Sequence, residues 1–301
     1  MITENPISEP AQNLANLMKR KKLTQAAVGR ALGKSQAVVN QYLQGRYAGD
    51  VAAIDLLVDN LLQRETEKQQ AAKVEIPYVE TTTTKKVREI LRLAHMEGEI
   101  NVVYGEAGLG KTLALRAYAN EYPDAILLEV DPGYTARVVL QVLAERLGLN
   151  SRDSIHDLSD SIIAKLKDSG RIILVDEAEL LPYRALEVLR RIHDKAEIGI
   201  VLAGMPRLLI NLKGKKGEFV QLYSRIGFAF NLGNALPKAD VAAIATQLLG
   251  NNELGDALYE ACSGNTRRLS KLLRGVIRTS RINQQPVTAR MIQEFARMLI
   301  N

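Results

Sequence analysis

The sequence predicts an α/β fold: a parallel sheet flanked by helices, with a helical segment after it and a small all-α domain before it. Three observations carry that expectation. Between residues 81 and 235, apolar runs of strand length alternate with stretches of helical period. Strands that are apolar along their whole length belong to a parallel sheet covered on both faces. One strand-to-helix turn, Gly105-Glu106-Ala107-Gly108-Leu109-Gly110-Lys111-Thr112, has the G-x-x-x-x-G-K-[ST] spacing of a phosphate-binding loop. From Leu236 the pattern becomes helical only.

The chain has 301 residues, of which 47% are apolar, enough for about two domains. After a short polar lead, Gln12–Met18 is amphipathic, Thr24 caps a helix that Gly33 breaks, and Ser35 caps Gln36–Gln44 before Gly45. Two short helices joined by a tight Gly-containing turn form a helix-turn-helix arrangement. Leu23 to Tyr47 resembles the phage-repressor-like helix-turn-helix family, in its Thr24-Gln25-x-x-Val28-Gly29 opening and its Ser35-x-x-x-Val39-x-x-Tyr42-Leu43 run. That resemblance implies that Ser35, Gln36, Ala37, Asn40 and Gln41 face a major groove, where amide side chains bond base edges. A helical interaction domain without DNA contact is the alternative, because the segment carries little net charge. Leu56–Leu62 closes the first domain, expected at residues 1–62, and residues 63–80 read as a polar linker.

In the second domain, expected at 81–235, Lys85–Met96 is amphipathic and Ile100–Tyr104 is the strand entering the phosphate loop. A helix leaves from Thr112. Ala125–Val130 is the next strand, followed by helices over Thr135–Leu147 and Asp157–Lys167. Ile172–Val175 is a buried strand ending in Asp176 and Glu177. A helix over Tyr183–Asp194 and strands at Ile198–Gly204 and Ile226–Leu232 complete the sheet. Helices at Lys238–Leu249, Glu253–Ser263, Thr266–Ile282 and Thr288–Ile300 form a separate helical subdomain, 236–301.

The net charge is +6, and residues 264–301 alone carry eight Lys and Arg against Glu294, a net of +7. A basic segment of this kind points to a polyanionic partner, nucleic acid first. The single cysteine, Cys262, fits a reducing compartment and a small buried residue. No apolar run reaches the roughly 18 residues of a membrane span, and the first ten residues lack the order of a secretory signal, so no membrane partner and a cytoplasmic location are expected.

The chemistry is concentrated in two motifs. In Gly105–Thr112 the glycines let backbone N–H groups wrap a triphosphate, Lys111 reaches its β- and γ-phosphates, and the Thr112 hydroxyl holds Mg²⁺, which makes ATP the expected ligand. Asp176 and Glu177 end a strand some sixty-five residues later, where the carboxyl ends of parallel strands converge. Asp176 suits the Mg²⁺ shell and Glu177 the attacking water. A solvated strand end is the other reading of such an acid pair taken alone.

Gly105–Thr112, Ile172–Glu177, Ala203-Gly204-Met205-Pro206, Arg225 within Leu222–Ile226, and Gly264-Asn265-Thr266-Arg267-Arg268-Leu269 together resemble the AAA+ ATPases. With the helix-turn-helix and the length, nearly the whole chain resembles the transposition ATPases of transposable phages and their prophage relatives. The resemblance implies an ATP hydrolase stimulated by DNA, helical filaments on double-stranded DNA, and delivery of target DNA to a cognate transposase with stimulation of strand transfer. It implies that Arg225 is a finger inserted at the γ-phosphate of a neighbouring subunit, and that Arg267, or alternatively Arg268, senses nucleotide from the lid. A charge developing on a transferred phosphoryl group needs such fixed cations. A surface or salt-bridge arginine is the other reading of Arg225. Ala203 and Gly204 depart from the pattern, standing where a polar sensor is expected, which implies slow hydrolysis.

Asn211–Gly217 reads as a flexible basic loop in which Lys213, Lys215 and Lys216 contact DNA phosphates, together with Arg137, Arg207 and the lid residues Arg268, Lys271 and Arg274. An ordinary solvated loop is the other reading. Two other functions share these features: a helicase loader or replication initiator, and a non-enzymatic helix-turn-helix regulator.

Overall fold

The computed structural model describes residues 7–70, 74, 76–214 and 220–299. The chain divides into two compact units, Met1–Val74 and Glu75–Asn301.

The first unit contains α1 (Glu9–Lys21), α2 (Gln25–Leu32), α3 (Gln36–Leu43) and α4 (Val51–Gln70). Ser8, Thr24 and Ser35 cap the first three through their hydroxyl oxygens. Leu14, Val28, Val39, Tyr42, Ile54 and Val58 fill the core. Gly29 is required by packing, because a Cβ there would lie 2.6 Å from the Lys34 carbonyl oxygen at the turn between α2 and α3. The fourth helix departs from expectation in register and length. It starts at Val51, Ile54 and Val58 are the buried positions, and Leu56 is exposed. It continues through Gln70, into the stretch read as linker, because Gln, Arg, Glu and Lys are good helix formers even without an apolar face.

The second unit is built on a five-stranded parallel sheet in the order β2-β3-β4-β1-β5, with β1 at Ile100–Tyr104, β2 at Ala125–Glu129, β3 at Ile172–Asp176, β4 at Gly199–Gly204 and β5 at Ile226–Asn231. Side chains alternate between faces as strand geometry requires. Val102, Ile173, Val175, Ile200 and Leu202 point to the face covered by α7 (Ala136–Arg146), α8 (Ile155–Leu166) and α9 (Tyr183–Ala196). Val103, Ile172, Leu174, Val201 and Ala203 point to the face covered by α5 (Thr82–Glu97) and α6 (Lys111–Glu121). β5 pairs with β1 across an irregularity after Ile100, and the buried Asn101 fills the gap by accepting from the Phe228 N–H at 2.9 Å.

Two short segments differ from the sequence expectation. The helix expected from Lys85 starts three residues earlier, in the threonine run: Thr81 and Thr84 form a capping box, and the buried Asp240 carboxylate accepts from the Thr82 and Thr83 N–H groups at 3.0 Å each. Asn211 and Lys213 belong to the short helix α10 (Arg207–Lys213), anchored by the buried Leu208 and Leu212, rather than to a loop. Lys215 and Lys216 lie outside the described residues. After α11 (Val220–Tyr223), the chain forms β5 and then the lid: α12 (Lys238–Leu249), α13 (Gly255–Cys262), α14 (Thr266–Asn283) and α15 (Ala289–Arg297). The lid has its own core around Val241, Leu258, Cys262, Leu272, Leu273 and Ile292, and Leu109 of the phosphate loop is part of it.

Candidate functional site

The strand order places the carboxyl ends of β1 and β3 on either side of β4, with Tyr104 beside Gly204 and Val175 beside Leu202. The chain leaves β1 through Gly105–Gly110 and enters α6. Gly108 and Gly110 adopt φ of 81° and 86°, conformations in which an L side chain is strained. α6 has no side-chain cap at its N-terminus. Its first N–H groups therefore face the mouth of the loop, where a helix dipole favours an anion. The Lys111 ammonium donates to the Gly105 and Glu106 carbonyls at 2.7 and 2.9 Å. Burial pulls its pKa below the usual lysine value, and Glu179, Asp176 and Glu106 oppose that shift.

The lid holds the same loop from above. Asn265 donates from Nδ2 to the Ala107 carbonyl at 3.0 Å, and its Oδ1 caps α14 by accepting from the Arg267 and Arg268 N–H groups. The Thr266 N–H and hydroxyl both donate to the Gly108 carbonyl, at 2.7 and 2.9 Å. A Cβ at Gly108 would run into the Asn265 side chain, so this approach also demands glycine.

Between loop, β3, β4 and α14 lies a cleft of about 770 Å³. Lys111, Thr112, Asp176, Glu177 and Arg267 all line it, so the structure brings together the predicted nucleotide residues from both motifs and the lid. Asp176 is buried at the end of β3, whereas Glu177 is exposed and held at φ 54°, ψ 35°. A non-glycine residue in that left-handed region stores about 1–3 kcal/mol of strain and is characteristic of functional sites. Thr112 and Asp176 offer a hydroxyl and a carboxylate, the hard oxygen donors that Mg²⁺ takes when phosphate and water complete its shell. Among the described residues no cluster of three or more acidic, His or Cys ligands forms a metal cage.

The remaining predicted residues are dispersed. Arg268 turns back into the lid, donating to the Ala261 carbonyl at 3.3 Å, and does not line the cleft. Lys271 and Arg274 follow Arg267 at helical spacing and line the cleft, as does Arg207. Arg225 is away from the cleft of its own chain, half-exposed and paired through Nε with Asp194 at 2.9 Å. Lys213 lies over the Tyr223 ring at 5.1 Å, and Arg137 donates to the Asp153 carbonyl. In the first unit Gln36, Ala37 and Gln41 are exposed on α3; Ser35 is engaged as the helix cap, and Asn40 accepts from Gln25 Nε2 at 3.2 Å.

Two features of the site are absent from the sequence reading. Glu179, in the 3₁₀ turn Ala178–Leu180, also lines the cleft; its only local signal is a second glutamate two residues after Glu177. Beside the loop, an apolar pocket is formed by Ile76, Val79, Leu109, Leu236, Ile244 and Leu269, with the partly exposed Tyr78 and Leu113 at its edge. The signal is the apolar run Ile76-Pro77-Tyr78-Val79 closing an otherwise polar stretch.

Residues 92–212 match the family model of the AAA domain. The ATP-dependent target DNA activator B of Escherichia phage Mu is 32% identical over 260 residues, covering 82% of this chain and 81% of that protein. The Mu-like prophage FluMu DNA transposition protein B of Haemophilus influenzae is 30% identical over 229 residues, covering 74% of this chain and 79% of that one. Among solved structures, the ORC2 protein of Aeropyrum pernix superposes with a TM-score of 0.57 at 16% identity, covering 78% of this chain and 73% of that one, a likeness of fold. With its P-loop, parallel sheet and helical lid, the chain belongs to the family of the target DNA activator and transposition B proteins of Mu-like phages and prophages, built on the AAA ATPase fold.

Proposed function

We propose that this protein binds and hydrolyses ATP with Mg²⁺, and that nucleotide state controls the assembly of many copies on double-stranded DNA. The assembly selects target DNA with little regard to sequence and delivers it to a cognate transposase. One observation carries the proposal: Lys111, Thr112, Asp176, Glu177 and the lid residue Arg267 converge on one cleft at the carboxyl edge of a parallel sheet. The name of the phage Mu relative, an ATP-dependent target DNA activator, supports the same reading.

In this scheme the α6 N-terminus and the backbone of Gly108–Gly110 bind the β- and γ-phosphates, and Lys111 exchanges its two carbonyl partners for phosphate oxygens. Thr112 and Asp176 hold Mg²⁺, which supplies charge neutralisation across the phosphates. Glu177 orients the attacking water and accepts its proton. Arg267 contributes a cation from the same chain. The apolar pocket beside the loop takes the base, with Tyr78 and Leu113 covered on binding. Arg225, outside its own cleft and exposed, serves a neighbouring copy, so that turnover depends on assembly and rises with DNA. Lys213, Lys215 and Lys216 bind DNA backbone, and Gln36 and Gln41 on α3 lie on the surface that meets DNA or a partner protein.

The test is electron microscopy of the full chain with duplex DNA and a non-hydrolysable ATP analogue. Filaments are expected with the parent and none with Lys111→Ala. Absence of assemblies from the parent, or undiminished assemblies with Lys111→Ala, sinks the proposal. Co-purification with a replicative helicase instead of a transposase refutes the assigned partner.

A further inference from the structure

At the end of β4, Ala203 and Gly204 offer no polar side chain to the phosphate cleft. The space is nevertheless filled. The Glu179 carboxylate reaches over Gly204 from the 3₁₀ turn after β3, so closely that a Cβ on residue 204 would run into its Oε2. Glu179 is 8% exposed, and Oε2 is a buried oxygen with no hydrogen-bond donor among the described residues. Its Oε1 faces the Arg207 guanidinium at 3.9 Å, and its main-chain carbonyl accepts from Asn211 Nδ2 at 3.0 Å. Both partners lie on α10, so the turn is held at both ends of that helix while the carboxylate lines the cleft.

A buried acceptor without a donor is unfavourable, more so when charged, and persists where a donor arrives in the working state. In this cleft the arriving donor is water. We propose that Glu179 is a positioning residue for hydrolysis: its Oε2 accepts a hydrogen bond from the water that attacks the γ-phosphate, in the place that Ala203 and Gly204 leave open. The role rests on the ATP-hydrolysis reading above. The water oxygen bonds to Pγ, and the bond from Pγ to the bridging oxygen breaks with its electron pair leaving on ADP. One water proton passes to Glu177 and then to phosphate; the other stays on the oxygen, directed at Glu179. Two acceptors fix the orientation of a water that one acceptor would leave free to rotate.

Glu179→Gln and Glu179→Ala, in the full chain, test this against Glu177→Gln. In the glutamine variant the amide turns its oxygen to Arg207 and presents N–H to the water, a donor where an acceptor is needed. Steady-state hydrolysis with duplex DNA should show kcat lowered about tenfold or more in both Glu179 variants, with KM within about threefold. Binding of a fluorescent ATP analogue should follow KM. The glutamine variant, which keeps an oxygen toward Arg207 and fills the same space, should not melt lower than the parent. A kcat within about twofold of the parent in both variants overturns the proposal, as does a raised KM at unchanged kcat in both, or a lowered melting temperature in the glutamine variant. Parental turnover by Glu177→Gln defeats the hydrolysis reading itself, a separate failure from loss of the Glu179 role.

Discussion

Asn265 performs two tasks at once, and its substitution separates them. Its Oδ1 caps α14 and its Nδ2 bonds the Ala107 carbonyl of the phosphate loop, 158 residues away in sequence. Removing an N-cap costs about 1 kcal/mol, and removing a neutral hydrogen bond about another 1 kcal/mol. Asn265→Ala loses both, about 2 kcal/mol from the second unit, of which about 1 kcal/mol is the docking of lid on loop. Arg267 and Thr266 depend on that docking, so the affinity for an ATP analogue should fall by about fivefold. The melting temperature of the second unit should fall by about 4–8 °C. Asn265→Asp keeps a good cap and loses the donor, so it should show the same roughly fivefold weakening with a smaller fall in melting, about 2–4 °C. Fluorescence titration and calorimetry measure both quantities. An alanine variant within twofold of the parent in affinity refutes the idea that the lid reaches nucleotide through this contact.

Arg225→Ala removes an exposed ion pair with Asp194, worth at most about 1 kcal/mol, so the melting temperature and nucleotide affinity should hold while DNA-stimulated turnover falls at least tenfold. Persistence of that turnover rules out a role at a neighbour's γ-phosphate. Burial raises the Cys262 thiol above its usual pKa, so the native state keeps its proton where the unfolded chain loses it. The contribution of this group is therefore intact at neutral pH and is lost as pH rises through and beyond the ordinary thiol range. Alkylation at pH 8 should be slow in the native chain and fast in denaturant; rapid native labelling contradicts the buried placement.

The sheet was legible because its strands are apolar on both faces, a signal that needs no long-range information. The ends of β1, β3 and β4 fall within two residues of the apolar runs. The phosphate loop and Asp176–Glu177 were legible for a similar reason, since each is a short run whose chemistry depends on spacing. What was not legible depended on partners distant in sequence. Thr81–Thr84 have weak helix propensity and fall outside the helix that the sequence starts at Lys85, yet Asp240 supplies acceptors for two of their N–H groups. Leu109 occupies a variable position of the loop motif, and only the fold places it in the lid core. Glu179 reads as one more acid in a turn until Gly204 is beside it.

Apart from Arg267, the basic lid reads from sequence as DNA-facing, and the structure redraws that division. Arg267, Lys271 and Arg274 line the nucleotide cleft along one face of α14. A bound triphosphate neutralises cations that face it, so under the proposed scheme, in which DNA is held in the ATP state, these three have least charge to offer DNA. The scheme then needs its DNA contacts outside the cleft, with Lys213 as the candidate. Salt dependence distinguishes the two sets, because each lysine or arginine lost from a duplex phosphate lowers the slope of log K against log salt by about 0.9. At saturating ATP, Lys271→Ala with Arg274→Ala should weaken nucleotide binding and leave the DNA slope unchanged, whereas Lys213→Ala should lower the slope by about 1. A slope lowered by about 2 in the double variant, with nucleotide affinity intact, would put α14 on DNA and restore the division read from sequence.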